Sequence, residues 1–180
     1  MQLRLLESEK IFKGAIFDVD RDRLIDENGT EIFREIVQHA GGAGALPLFD
    51  DGRVALVKQY RHPARRELLE IPAGKIEGGE TPEMCAARET EQEIGFRPER
   101  IEKVAEFYST PGFCAERLYV YLATALTPSA QALDQDEFIE VVYLPFAEAL
   151  KMAECGKIED SKTIIALLMT EKLKSLAGAK

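Results

Sequence analysis

One run of 23 residues, G-K-I-E-G-G-E-T-P-E-M-C-A-A-R-E-T-E-Q-E-I-G-F from Gly74 to Phe96, constrains this chain more than any other segment. Its punctuation defines a helix. Thr81 can accept from the first free N–H groups, Pro82 suits the first helical position, Glu83 complements the positive end of the dipole, and Gly95 can take the left-handed cap. The spacing predicts a helix over 82–94. On it Glu89 and Glu93 stand four apart and share a face, with Gln92 beside them. Converging carboxylates suit a hard, oxygen-seeking cation, Mg²⁺ or Mn²⁺.

A solvated acidic face is the ordinary meaning of a glutamate run and would explain the charges. It leaves Gly74, the Gly78-Gly79 pair, Glu80 and Arg88 without a reason to stand at these offsets. The pattern resembles the box of the Nudix hydrolases, G-x5-E-x7-R-E-U-x-E-E-x-G-U, with U a bulky apolar residue. Gly74, Glu80, Arg88, Glu89, Glu93, Gly95 and Phe96 match it. Two positions depart: Thr90 replaces an aliphatic residue, and Gln92 replaces the first glutamate of the E-E pair. A motif of this length is much more specific than a lone glycine pattern.

Beyond the box, L-P-L-F-D-D-G-R-V-A-L-V-K-Q-Y-R-H-P and R-E-L-L-E-I-P-A-G-K-I-E-G-G-E are similar to the ADP-ribose pyrophosphatases of that superfamily. The branch also carries a proline downstream of the box, here Pro111 in S-T-P-G-F. The resemblance implies hydrolysis of ADP-ribose to AMP and ribose 5-phosphate by a homodimer whose N-terminal sheets are exchanged. It also implies metal ligation by Glu89, Glu93 and the backbone carbonyl of Ala73, with Glu80 nearby. Arg88 is expected to orient Glu80 or neighbouring carboxylates, with Gln92 in a similar supporting place. Arg61 is similar to an arginine that meets substrate phosphate or base, the alternative being a surface ion pair. Arg34, on the N-terminal sheet, is expected to reach the partner's site. Glu70 resembles a glutamate near the substrate, or is simply a strand-end partner for Arg66.

The branch takes its general base from a late loop, often as E-x-E. This chain has Asp134-Gln135-Asp136-Glu137 there. An amide accepts no proton near neutrality, so Glu137 is the expected base and Asp136 the second choice. Gln92 and Gln135 each keep an oxygen but lose a charge, which weakens one cation of a cluster more than it abolishes a site. Two other functions stay open: hydrolysis of another nucleoside diphosphate sugar such as a GDP-linked hexose, and nucleotide binding without hydrolysis.

The rest of the chain falls into two parts, an antiparallel sheet within 1–41 and the catalytic domain over 42–180. In the first, I-F-K-G-A-I-F-D-V-D reads as one strand and T-E-I-F-R-E-I-V-Q-H as its return, with Asn28-Gly29 as a tight turn. Two strands are unstable alone, so this sheet must pack on the main body or on a second copy. The stretch Gly41-Gly42-Ala43-Gly44 marks the boundary. After it, A-L-P-L-F and V-A-L-V-K-Q-Y read as strands joined by a hairpin at Asp50-Asp51-Gly52-Arg53. Strands are predicted at 103–108, 117–124 and 138–144, and helices at 146–154 and 161–175. Strands with helices outside them give an α/β/α sandwich with a mixed sheet.

The net charge of −9 argues against non-specific nucleic-acid binding, so substrate phosphates must be met by a metal or a few arginines. No apolar run approaches a membrane span, and the first residues lack the apolar region of a signal peptide. Three scattered cysteines, Cys85, Cys114 and Cys155, read as reduced thiols and point to the cytoplasm. Cys85, although on the helix of the box, is expected to pack rather than ligate.

Overall fold

Gly14 sets the layout of the N-terminal segment. A side chain there would press on the Phe17 carbonyl and the Phe12 ring, so only glycine lets the backbone fold back on itself, with Gly14 N–H donating to Phe17 O at 3.1 Å. The strand expected over 11–20 is therefore two strands, β1 (Arg4–Lys13) and β2 (Asp18–Ile25), and β3 (Glu31–Gln38) completes an antiparallel meander in the order β1-β2-β3. The Asn28-Gly29 turn is wider than a two-residue hairpin. The Asp26 carboxylate closes it by accepting from Asn28 N and Thr30 N at 2.9 and 2.8 Å.

The computed structural model describes residues 2–135 and 137–178. They form two compact units, Met1–Gly41 with Phe107–Leu118, and Gly42–Glu106 with Tyr119–Lys180. In the first, residues 113–115 pair alongside Val37: Val37 N donates to Phe113 O and Ala115 N to Val37 O, at 2.8 and 2.9 Å. The meander leaves Leu5, Phe12, Ile16, Phe17 and Phe33 exposed.

The second unit contains β4 (Gly42–Pro47), β5 (Arg53–Arg61), β6 (Arg66–Glu70), β7 (Ala73–Lys75), α1 (Pro82–Ile94), most of β8 (Phe96–Tyr108) and β9 (Arg117–Pro128), then β10 (Ile139–Pro145), α2 (Phe146–Glu154) and α3 (Ser161–Gly178). The turn at Asp50–Arg53 forms as expected, with Gly52 at φ +83°. The strands it joins stay together for one bridge, Leu48 to Val54, and then part. One enters a sheet ordered β7-β4-β9-β8 and the other a sheet ordered β10-β5-β6. Helix α1 packs on β4 and β7, while α2 and α3 pack on each other and on β4, β5, β6 and β10, giving the helix–strand–helix layering of an α/β/α sandwich.

Small side chains bring α1 close to the strands: Ala43 and Ala45 of β4, Ala123 of β9, and Cys85 and Ala86 of α1 form one buried cluster with Tyr121. Leu46, Leu56, Ile71 and Leu167 are wholly buried, each contributing about 1.5–3 kcal/mol. No helix among the described residues is long and apolar enough to cross a membrane.

Candidate active site

The caps read from the sequence are the ones that bound α1. Thr81 Oγ1 accepts from Met84 N at 3.2 Å, Pro82 opens the helix, and Gly95 closes it at φ +69° with its N–H on Glu91 O. Between those caps Glu89 and Glu93 point inward and are buried.

Gly74 on β7 makes room for the first of them. A Cβ at residue 74 would coincide with the Glu89 carboxylate, so the strand and the acid can occupy this place together only if residue 74 has no side chain. Glu93 reaches the preceding residue, its Oε2 accepting from Ala73 N at 3.2 Å. The Ala73 backbone and the Glu93 carboxylate are thus in contact.

Arg88 ties the remaining box residues together. Its Nε and Nη2 donate to the two oxygens of Glu80 at 2.8 and 3.0 Å, and its Nη1 donates to Glu89 Oε1 at 2.6 Å and Gln92 Oε1 at 2.9 Å. This fork holds Glu80 below its ordinary pKa. Burial has the opposite effect on the other two carboxylates. Glu89 is raised, by burial first, despite Arg88. Glu93 is pushed up to about 8, by burial and then by the charges of Glu89 and Glu137. Glu137 is therefore close enough for its charge to be felt by both; Asp136 lies outside the described residues. The loop leading to Glu137 is fastened to the C-terminal end of α1: Ser129 N donates to Gly95 O, Ala132 N to Gln92 O and Gln131 Nε2 to Glu93 O, at 2.7–2.9 Å. Gln135 is exposed in that loop.

A second network surrounds Glu70, which is 2% exposed. It is not paired with Arg66, which bonds Glu159 at 2.6 Å. Its partners are Arg61, whose Nε and Nη2 grip the two oxygens at 2.6 and 2.9 Å, and the ammonium of Lys162 on α3. Burial alone would raise Glu70, but Arg61 and Lys162 outweigh it and hold the carboxyl at about 2. The Arg61 pair is thus not a surface pair, since its carboxylate is buried. Arg61 also senses the charge of Glu93. Lys162 and its support were missed from the sequence. The signal that could have found them is D-S-K-T, where Asp160 caps α3 by accepting from Thr163 N at 2.9 Å and also binds Lys162 at 2.8 Å.

Arg34 and Pro111 lie in the first unit, where they line a cavity of about 380 Å³ with Ile36, Tyr108 and Phe113. Cys85 is wholly buried, and burial pushes its thiol up to about 12, which makes it an inert packing group.

Among the described residues no three Asp, Glu, His or Cys side chains are already gathered into a cation cage. The donors nonetheless fit a hard divalent ion. They are oxygens throughout, and Glu93 is a buried carboxylate that accepts from one backbone N–H and faces like charges, an arrangement that a cation would relieve.

Comparison with known proteins gives a consistent placement. A family model described as the NUDIX domain matches residues 38–167. The chain is 37% identical over 182 residues to an ADP-ribose pyrophosphatase of Bacillus subtilis (strain 168), covering 100% of this chain and 98% of that one. It is also 37% identical over 176 residues to a methanol dehydrogenase activator of Bacillus methanolicus, covering 95% of each. A solved structure described as an ADP compounds hydrolase superposes with a TM-score of 0.87 over 99% of this chain and 97% of that one, at 20% identity.

Proposed function

The chain belongs to the Nudix family, and from that premise we propose that it hydrolyses the diphosphate of ADP-ribose to AMP and ribose 5-phosphate, assisted by Mg²⁺ or Mn²⁺. The observation that carries this reading is the buried pair Glu89 and Glu93, set against the Ala73–Gly74 backbone, in a chain similar from end to end to an ADP-ribose pyrophosphatase.

Glu89, Glu93, Glu80 and the Ala73 carbonyl are the groups that would hold the cations, which when bound neutralise diphosphate charge and lower the pKa of a water. Arg88 fixes Glu80 and Glu89 before substrate arrives, so little ordering remains at the moment of binding. Gln92 holds Arg88 and adds an oxygen without a charge. Arg61, anchored on Glu70, offers its guanidinium to a phosphate oxygen. Glu137 takes the proton of the attacking water, its charge being felt at Glu89 and Glu93. Arg34 and Pro111 serve the nucleoside end of the substrate, Arg34 from a second copy of the chain. The protein acts as a cytoplasmic homodimer, joined through the exposed apolar residues of its N-terminal sheet.

The test is incubation of the purified chain with Mg²⁺ and a panel of nucleoside diphosphate compounds, with products identified by mass. Release of AMP and ribose 5-phosphate is expected, and faster cleavage of a GDP-linked hexose would displace ADP-ribose as the substrate. One observation favours a second reading, a binding module without turnover: the Gln92 amide is already engaged by Arg88 where a glutamate is usual. ADP-ribose binding with no cleavage of any compound would select it.

A further inference from the structure

We propose that Lys162, in the first turn of α3, is a positioning residue for substrate binding, because it fixes the buried carboxylate on which Arg61 rests. The inference depends on the reading above, in which Arg61 meets a phosphate.

Glu70 has two oxygens and three donors. Arg61 spends one edge of its guanidinium on both oxygens, and Lys162 donates to Oε2. The third nitrogen of Arg61, Nη1, makes no hydrogen bond among the described residues, and the Arg61 side chain is 41% exposed, against 14% for Lys162. One cation of the pair is thus open to a ligand and the other is enclosed.

Two consequences follow. With a single cation, the Glu70 charge would be matched wholly by Arg61, and the guanidinium would have less net field to offer a phosphate. A second cation on the same carboxylate reduces that neutralisation. Geometry gives the other consequence. Lys162 is itself held by Asp160 at 2.8 Å, and Asp160 accepts from both the backbone and the hydroxyl of Thr163, at 2.9 and 2.6 Å. The Thr163 hydroxyl in turn accepts from Ile71 N at 2.7 Å, beside Glu70 in the chain. The start of α3 therefore clamps the end of β6 from two sides, and the Glu70 carboxylate has no freedom to rotate away from Arg61.

The experiment is steady-state kinetics with ADP-ribose and Mg²⁺ on the full chain, comparing wild type, K162M and K162R, each alone and with Arg61→Ala, alongside thermal unfolding. K162M is expected to raise KM about 10-fold with kcat changed less than about 3-fold, a loss of ground-state binding rather than of chemistry. K162R, which keeps the charge, is expected to recover most of the KM. In the Arg61→Ala background K162M is expected to add nothing, since its effect passes through Arg61. If K162M does not fold, Lys162→Gln, which is shorter and uncharged but still carries an N–H donor, carries the same expectation. An unchanged KM in a folded variant, or an equal effect with and without Arg61, would overturn the proposal while leaving the hydrolase reading intact. Failure of the wild type to cleave ADP-ribose would instead remove the reading on which the proposal stands.

Discussion

Replacing Gly74 by alanine tests whether the loop and the helix of the box make one site. The new methyl group would occupy the place of the Glu89 carboxylate. The side chain can withdraw, because the obstructed atoms are the free end of a flexible chain, but in doing so it gives up the 2.6 Å bond from Arg88 and its position beside Ala73–Gly74. The cost in stability is modest: Arg88 is partly exposed and keeps Glu80 and Gln92, so about 1 kcal/mol is lost, which lowers Tm by about 2–4 °C in a chain of this size. The cost in catalysis is larger. If Glu89 holds a cation as proposed, displacing it removes about 3 kcal/mol of transition-state stabilisation, a fall of about 10²-fold in kcat/KM, with a higher Mg²⁺ concentration needed for half-maximal rate. Turnover against Mg²⁺ concentration and a thermal scan on the same preparation separate the two effects. A folded Gly74→Ala variant with wild-type turnover and wild-type Mg²⁺ dependence would refute the placement of Glu89 on the metal.

Glu93→Gln is expected to fold and to lose about 10²-fold or more in rate, measured by AMP release under saturating Mg²⁺. Gln92→Glu is expected to raise activity or metal affinity, read from the same Mg²⁺ titration, because it restores a carboxylate beside Glu93; the double change of Gln92 and Gln135 to glutamate with no cleavage of any diphosphate would instead favour the binding module. Glu70 ionises at about 2 in the folded chain, below its ordinary 4.5, so the stability it contributes is complete above that value and is lost as pH falls toward 2. Urea unfolding at pH 5 and pH 2 should show wild type losing about 3 kcal/mol more than Glu70→Gln over that interval. The full chain is expected to sediment as a dimer at micromolar concentration, and an active monomer would remove the role given to Arg34.

How much of this was legible in the sequence follows the range of the interactions involved. The limits of α1 are set within three or four residues by Thr81, Pro82 and Gly95, so they could be read directly. The bounds of α2 were also read correctly, as 146–154, although no side chain caps its first turn. The antiparallel N-terminal sheet was legible, but its first expected strand is two, because Gly14 looks like a tolerated glycine in an apolar run whereas its backbone turns sharply against Phe17. Strand β1 was missed over residues 4–10 because charged residues interrupt its alternation; in the structure Glu7 bonds Arg23 and Lys10 bonds Asp18 on the neighbouring strand. The turn at 50–53 was visible, but the divergence of its strands into two sheets depends on partners far along the chain. Glu70 is the clearest limit. Its neighbour in sequence, Arg66, was the obvious partner; the real ones are Arg61, across the strand pair, and Lys162, which lies 92 residues away.

Partners supplied by the fold also explain why the carboxylates of this chain behave so differently. Glu70 and Glu93 are almost equally buried, at 2% and 3% exposed, so burial by itself would raise both. What separates them is the company each keeps. Glu70 is gripped by Arg61 and Lys162 and falls to about 2, whereas Glu93 accepts from one backbone N–H, faces the charges of Glu89 and Glu137, and rises to about 8. A fold that held Glu93 only for stability would supply it with a cation from the chain, as it does for Glu70. Arg88 stands one turn away on the same helix and bonds Glu80, Glu89 and Gln92, not Glu93. Arg61 acts on Glu93 only through its charge, without a hydrogen bond, and does not offset burial; a cation from outside the protein would do so, which is the physical argument for the metal proposed at Glu93 and Glu89 while Glu70 holds an arginine.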